Sequence, residues 1–456
     1  MMNLPPSMIQ RLFLPLASLH SRTAFYRRYR ALLKSQFFPR STLEKMQRGR
    51  LQAILRHAFD TVPFYREWLG DHHLAPERFG SAEQLEQLPL LNKQIIRSFP
   101  LEKFLSQAVP PRERLPYSTS GSTGEPFQFV VDRAFNGAKI ARYFREMSHW
   151  GIQPGNPYLK LWGAGRVPTA GSESTRSFFI QKILGRREVL AFDLSPEKAW
   201  ECLSWMKKEH LAALEAYTSS AVYLAHLVLE EGWSFPHLRA VVVSGETLTE
   251  EHRQILKKAF QVPVINAYGS REFGRVAFSC AEDRMCYSME DFYAEYLDTH
   301  PPDSKGLKRL VLTCFSNHAM PFIRYDTGDL VEPCMDAAAP GGLGLHCWKR
   351  VAGRLADQVI TPHGKHLSVH YFTLLFEDYG QEIRQFQIVV TGKDRLHLLI
   401  VPGSSFTHSL GEEMCRRILK SLEGSMQVDY TLVDSIPHTG DGKQPLLRVS
   451  SGGDLP

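Results

Sequence analysis

No run of apolar residues in this chain approaches the roughly 20 that a bilayer-spanning helix needs. The nearest, Leu12 to Leu19, is interrupted by Pro15 and lacks a convincing cleavage site, so neither a transmembrane segment nor a removable leader is expected. Cysteine is scarce. Seven residues, an odd number scattered along 456, argue against a disulfide framework and for reduced thiols in a cytoplasmic protein. Internal repeats and low-complexity tracts are missing. The main glycine-rich loop does not end in Gly-Lys-Ser/Thr, which excludes a Walker-type phosphate loop there. Charge of one sign does not dominate, the net being +6, and no stripe of aromatic and basic residues marks a nucleic-acid surface.

What is present is near-average globular composition, 43% hydrophobic and 22% charged, in a chain long enough for two or three domains with a real core. Much of the positive excess sits early, at Arg22, Arg27, Arg28, Arg30, Lys34, Arg40, Lys45, Arg48, Arg50 and Arg56. Such a cluster suits nucleic acid, an anionic membrane or a partner. Basic residues on solvated helix faces give the same count, and that solvated face is the expectation, with weak peripheral membrane contact left as an alternative.

Leu43, Met46, Leu51, Ile54, Leu55, Ala58 and Phe59 recur at helical spacing and predict an amphipathic helix within residues 42–69, ending at Val62-Pro63-Phe64-Tyr65. A second helical entry is expected at Ser81 to Leu88, before Pro89-Leu90-Leu91-Asn92-Lys93. Both read as scaffold. Short apolar strands then alternate with helical stretches. The strands are Tyr158 to Trp162, Leu211 to Tyr217, Leu238 to Val243 and Pro263 to Ala267. Continuous β-branched runs between helices signal strands buried on both faces, hence an α/β chain. From Tyr293 onward the pattern turns to alternating strands and predicts a β-rich subdomain. The last hundred or so residues predict a small α+β unit, with two strands joined at Thr391-Gly392-Lys393-Asp394 and a helix carrying Leu410, Met414, Ile418 and Leu422 on one face.

The densest polar stretch is Tyr117-Ser118-Thr119-Ser120-Gly121-Ser122-Thr123-Gly124-Glu125-Pro126-Phe127. Its backbone N–H groups and hydroxyls suit phosphate oxygens, while a Ser/Gly-rich surface linker has the same make-up. Ligands of open α/β sheets sit beyond the carboxyl ends of strands. That gives weight to Ser244-Gly245-Glu246 and to Tyr268-Gly269-Ser270-Arg271-Glu272.

Taken in order, the loop, Tyr268-Gly269-x-x-Glu272, Arg324-Tyr325-x-Thr327-Gly328-Asp329, Gly353-Arg354 and Gly442-Lys443 make the chain similar to the adenylate-forming ligases. Within them it most resembles the phenylacetate-CoA ligase branch and its capsular-polysaccharide relatives. The resemblance runs from His57-Ala58-Phe59 to Lys443. It implies a large N-terminal adenylation domain of α/β layers over residues 1–352 and a small mobile C-terminal lid over 353–456. It also implies ATP, Mg²⁺ and coenzyme A, with a small carboxylic acid as substrate. On this reading Ser118, Thr119, Ser120, Gly121, Ser122, Thr123 and Gly124 hold the leaving pyrophosphate. Ser244, Gly245, Glu246, Ala267, Tyr268, Gly269 and Ser270 border the nucleotide, with Tyr268 against adenine. Asp329 takes the ribose hydroxyls, Glu272 holds the metal, and Lys443 meets the charge that builds on the α-phosphate. Arg354 marks the junction where the small domain turns, and Ala356 beside Asp357 stands where an acid usually follows, which shifts the hinge by one residue.

Other departures from the family pattern are Arg271 where Thr or Ser contacts the α-phosphate, Phe127 where a lysine is common, and Gln444-Pro445 after Lys443. Arg271 is expected to grip phosphate or the substrate carboxylate. Trp162, Tyr217, Thr218, Ser244 and Ala267 are the expected acyl pocket, which equally reads as core. Transfer to an amine or a carrier-protein thiol, or a non-catalytic protein retaining the fold, are the alternative functions. Some relatives bind a structural metal through Cys and His, which puts Cys280, Cys286, Cys334 and Cys347 forward for zinc. Their spacing fits poorly, and buried free thiols are the expectation.

Overall fold

The computed structural model describes residues 8–72, 82–119, 127–162, 185–191, 194, 196–281, 284–299, 306–334, 338–354, 358–362, 366–368, 372, 376, 379, 382–392, 394–422, 424–436 and 445–450. The chain opens with helices that the sequence patterning left unassigned: a π-helical turn Ile9–Phe13 running into α1 (Leu14–Ser21), then α2 (Phe25–Ser35). Pro63 does not merely end the expected helix. It ends α3 (Arg40–Thr61) and occupies the first turn of α4 (Pro63–Asp71), where its missing N–H costs nothing and its fixed φ is already helical. The entry near Ser81 is one turn, Ala82–Leu85, followed by the short α5 (Lys93–Arg97), whose N-cap Asn92 accepts from Ile95 N at 2.8 Å.

Strands β1 (Arg114–Thr119) and β2 (Phe127–Asp132) form an antiparallel hairpin that leads into α6 (Arg133–His149). Next come β3 (Tyr158–Trp162), β4 (Arg186–Leu190), α7 (Pro196–Lys208), β5 (Ala213–Ala216), α8 (Thr218–Glu231), β6 (Ala240–Ser244), α9 (Glu250–Phe260) and β7 (Val264–Ser270). Strands β4, β3, β5, β6 and β7 pair in parallel in that order. The β-rich stretch is present but forms no separate layer. It continues the same eleven-stranded sheet, antiparallel from β7 through β8 (Gly274–Ala281), β9 (Arg284–Tyr287), β13 (Cys347–Arg354), β12 (Tyr325–Cys334) and β11 (Lys308–Cys314) to β10 (Phe292–Leu297).

The two-residue period of a strand explains how the parallel half is buried. Leu214, Ala216, Val241 and Val243 face one way into a core with Leu203 of α7, Leu224 of α8 and Leu256 of α9. Ala213, Ala240, Val242 and Ile265 face the other way, against Met147 of α6. Helix α6 thus lies between the sheet and the N-terminal helices, packing through Ala141 and Phe144 onto Phe25, Tyr29 and Leu32. The approach is so close that a Cβ on Gly137 would stand 2.0 Å from the Thr23 carbonyl oxygen.

Among these apolar layers Glu215 of β5 is 1% exposed. Its carboxylate accepts from Lys160 Nζ of β3 at 2.9 Å, Arg275 of β8 at 2.7 Å and the Tyr143 hydroxyl of α6 at 2.7 Å. Burial alone would raise its pKa; the Lys160 and Arg275 charges outweigh that and hold it at about 2.

Strands β14 (Gln358–Ile360) and β15 (His366–Ser368) form a short antiparallel pair, and a separate four-stranded sheet, ordered β18-β17-β16-β19, is built from β16 (Ile383–Thr391), β17 (Arg395–Pro402), β18 (Gln427–Leu432) and β19 (Leu447–Ser450). It packs its own core with Met414, Ile418 and Leu422 around helix α10 (His408–Ser421). The expected hairpin and helix are there, whereas β19 had no strong pattern in four residues of sequence. Among the described residues no helix is long and apolar enough to cross a membrane.

Candidate active site

The carboxyl ends of β3, β5, β6 and β7 meet where the sheet turns from parallel to antiparallel. Trp162 at the end of β3 stacks on Tyr217 after β5, with ring centroids 4.5 Å apart at 22°. Gly245 follows β6 with φ +84°, and a Cβ there would lie 2.8 Å from Tyr217 Cε1. Only glycine meets both conditions, so the aromatic pair and the turn after β6 form one wall. The Ser244 hydroxyl donates to the Ala267 carbonyl. Glu246, expected beside the nucleotide, is held by the start of α8. Its carboxylate accepts from Ser219 N at 2.7 Å and Ser219 Oγ at 3.0 Å, in the first turn of α8, where a negative charge suits the free N–H groups.

Strand β7 supplies Tyr268, whose hydroxyl donates to Asp329 Oδ2 at 2.6 Å. Two residues expected at opposite ends of a nucleoside are thereby in direct contact. The Tyr268 ring packs edge-on to Trp348, with centroids 5.7 Å apart. Asp329 lies on β12 opposite Arg354 of β13. Gly269 is forced by the β7–β8 turn, since a Cβ would come within 2.2 Å of the Gly274 carbonyl oxygen. Ser270 Oγ accepts from Phe273 N at 3.3 Å and so closes that turn, and Arg271 sits exposed on it.

Glu272 is 3% exposed. Its Oε1 lies 3.0 Å from Lys93 Nζ and accepts from the Tyr325 hydroxyl at 3.3 Å. Burial by itself would raise the Glu272 pKa, but the Lys93 ammonium, with hydrogen bonds from backbone N–H, Lys93 and Ser270, holds it below the usual carboxylate range. The carboxylate is therefore charged.

Lys93 is the residue that sequence reasoning missed, because the Pro89 to Lys93 stretch read as scaffold. It is delivered by an isolated bridge between Leu91 and Tyr325, with Leu91 N donating to Arg324 O at 2.9 Å and Asp326 N to Leu91 O at 2.7 Å. Arg324 anchors the same segment, its guanidinium donating to the Leu88 carbonyl at 2.6 Å and to Glu295 at 2.9 Å. No spacing in the sequence could join Lys93 to Glu272; only this β-bridge does. Lys93 Nζ also stands 5.8 Å from the Phe127 ring centroid, so a cation neighbours the position where a lysine was expected. Phe127 itself is buried core. A second missed cation, Lys139 of α6, lies 4.4 Å over the Tyr117 ring at the hairpin base. Burial, aided by the Arg142 charge, lowers its pKa to about 8.

Lys443, Ser120, Gly121, Ser122, Thr123, Gly124, Ala356 and Asp357 lie outside the described residues, as do the side chains of Ser118, Thr119 and Arg354. The backbone shows that the loop joins the β1–β2 hairpin, closed by the pair Thr119 and Phe127.

Two of the four cysteines correct the expectation of free thiols, whereas Cys334 and Cys347 are free and Cys347 is buried. Cys280 of β8 and Cys286 of β9 are joined in a disulfide, and Cys286 Sγ is 3.2 Å from Cys347 Sγ on the neighbouring β13. Cys334 is drawn to Arg284 at 2.6 Å.

A model of the CapK C-terminal domain matches residues 359–448. A phenylacetate-coenzyme A ligase of Thermus thermophilus is 25% identical over 451 residues, spanning 90% of this chain and 97% of that protein. Protein CapK of Staphylococcus aureus is 25% identical over 295 residues, 64% of this chain and 63% of its own length. Among solved structures, 2-hydroxyisobutyryl-CoA ligase in its postadenylation state superposes with a TM-score of 0.73 at 20% identity, over 92% of this chain and 91% of that one. The fold agrees over 92% of the chain and the likeness in sequence is to phenylacetate-CoA ligases and CapK, which together support the adenylate-forming ligase superfamily and that branch of it.

Proposed function

We propose that this protein is an ATP-dependent acid–thiol ligase. A carboxylate oxygen attacks the α-phosphorus of ATP, the bond to pyrophosphate breaks, and the resulting acyl-adenylate gives its acyl group to the sulfur of coenzyme A with release of AMP. The observation that carries this reading is the meeting of the Tyr268 and Asp329 motifs at 2.6 Å, close to the carboxyl end of β7, the end at which open α/β sheets place ligands. Asp329 offers two acceptor oxygens to a pair of ribose hydroxyls, and Tyr268 offers a ring face to adenine. Glu272, charged and buried, would supply the single carboxylate that Mg²⁺ accepts alongside phosphate oxygens and waters. When bound, the ion would neutralise phosphate charge. Lys93 balances Glu272 in this structure and would add a positive charge beside the phosphates. Trp162 and Tyr217 form the wall against which the acid's apolar part packs.

The test is pyrophosphate release measured across aryl, aliphatic, hydroxy and amino acids, with and without coenzyme A. Acid-dependent release together with a coenzyme A thioester product is expected. Adenylation with an amide product, or with transfer only to a carrier protein, would replace the acceptor half of the proposal; no ATP turnover and no nucleotide binding would overturn it.

Two variants probe the site. Asp329→Ala removes a charged acceptor worth about 1.5–3 kcal/mol, so the KM for ATP should rise by roughly 10- to 150-fold while the KM for the acid changes little. Lys93→Met removes the charge that depresses the Glu272 pKa and leaves burial as the main influence. A depressed carboxylate is charged above its pKa and loses that charge as pH falls through it. In the variant that loss comes at higher pH, so the acid limb of the pyrophosphate-release profile should move upward. An unmoved limb would remove Lys93 from this role.

Zinc fits poorly. Among the described residues, three buried sulfurs, of Cys280, Cys286 and Cys347, lie within 4.8 Å of one another. That is one donor short of a structural zinc set, and two of the three are joined in the disulfide. No step is assigned to a metal there.

A further inference from the structure

We propose that the N-terminal helices form a docking face for an anionic phospholipid bilayer, with α1 lying in the interface plane. Helix α1 and the π-helical turn before it are apolar on both sides. Ile9, Leu14 and Ser18 point inward, Ile9 and Leu14 packing with Phe25, Tyr29 and Phe144. Met8, Leu12, Leu16 and Leu19 point outward and are 39%, 53%, 63% and 79% exposed. Steps of four, four and three residues put these side chains along one line of the helix. A helix apolar all round is normally buried. This one lies at the surface, so among the described residues its outer stripe is uncovered.

The charge beside the stripe selects the occupant. Arg11 in the π-helical turn, Arg22 just after α1, and Arg27, Arg30 and Lys34 on α2 are all exposed, and the first acidic residue in the sequence is Glu44. Arg28, by contrast, turns inward to Asp291. Five outward cations with no acid among them repel a second copy of the same face, so a symmetric dimer through it is disfavoured. A row of leucines gains nothing against a phosphate backbone, which argues against nucleic acid. A membrane surface meets both features, taking the apolar side chains into the acyl boundary while its anionic headgroups face the arginines. Ile9 to Ser21 spans about 20 Å at 1.5 Å per residue, too short to cross the bilayer and suited to lying on it.

Co-sedimentation of the full chain with phosphatidylcholine vesicles, and with vesicles also containing phosphatidylglycerol, tests this. Binding should be about 10-fold stronger on the anionic vesicles and weaken as salt is raised through the range that screens surface charge. The triple variant Leu12→Ser, Leu16→Ser, Leu19→Ser replaces only exposed side chains and should retain pyrophosphate release. It should lose membrane binding by about 10-fold or more, as expected when buried apolar area drives insertion. The variant Arg11→Gln, Arg27→Gln, Arg30→Gln should lose the preference for anionic lipid. Absence of binding to either vesicle, equal binding to both, or full binding by the triple serine variant would overturn the proposal. So would a wild-type dimer that the triple serine variant turns into a monomer, because the stripe would then be covered by a second copy.

Discussion

Replacing Lys443 with alanine is expected to slow acid-dependent pyrophosphate release by about 10²–10³-fold while the circular dichroism spectrum stays unchanged, the loss seen when one donor to a developing oxyanion is removed. Negative charge builds on the phosphoryl oxygens as the carboxylate attacks, and only interactions stronger in that transition state than in the ground state accelerate the step. The variant should therefore bind ATP nearly normally, and kcat rather than KM should fall. Thioester formation from a supplied acyl-adenylate offers a second readout. It should survive, because the group whose charge Lys443 meets has already been transferred. A variant with normal pyrophosphate release would remove Lys443 from the reaction.

Glu215→Ala should have the largest effect on stability. Lys160 and Arg275 would be left with cations facing an emptied buried site, and breaking a buried ion pair from one side costs about 3–5 kcal/mol. The carboxylate also connects four elements, so its loss would loosen the packing of α6 on the sheet. Denaturant unfolding should show a lower midpoint, and Glu215→Gln should recover part of the difference by keeping hydrogen bonds without the charge. The folded-state pKa of about 2 is depressed, so the stabilising contribution is complete above the ordinary glutamate pKa and is lost as pH falls from there through about 2. The gap between wild type and Glu215→Gln should accordingly narrow in acid. An unchanged midpoint in Glu215→Ala would contradict the proposed role of this network.

Legibility from sequence followed how local each signal was. The parallel strands were visible because runs such as Ala240 to Val243 are buried on both faces and show it in every residue. The hairpin of β16 and β17 was visible through its Gly392 turn. The N-terminal helices were hidden, since a helix apolar on two faces has no clean period. The β-rich stretch was visible from its strand pattern, but not the sheet it joins, because pairing across β7 and β8 is a tertiary choice. In the site, Tyr268, Glu272 and Asp329 could be named from short motifs. Lys93 could not, since its place beside Glu272 depends on the bridge from Leu91 to Tyr325. The contact of Glu246 with Ser219 could not be read either, since a capping acid distant in sequence leaves no mark.

Strand β7 is bordered by a parallel neighbour on one side and an antiparallel neighbour on the other. The aromatic wall of Trp162 and Tyr217 comes from the first side, whereas Tyr325 and Asp329 come from β12 on the second. On the proposed function, choice of acid and handling of the nucleotide would be vested in different halves of the sheet that touch along a single seam. Substitutions at Trp162 or Tyr217 would then change which acid is accepted without disturbing Asp329 or Glu272, so that one lineage could diversify its substrates while its use of ATP stays fixed.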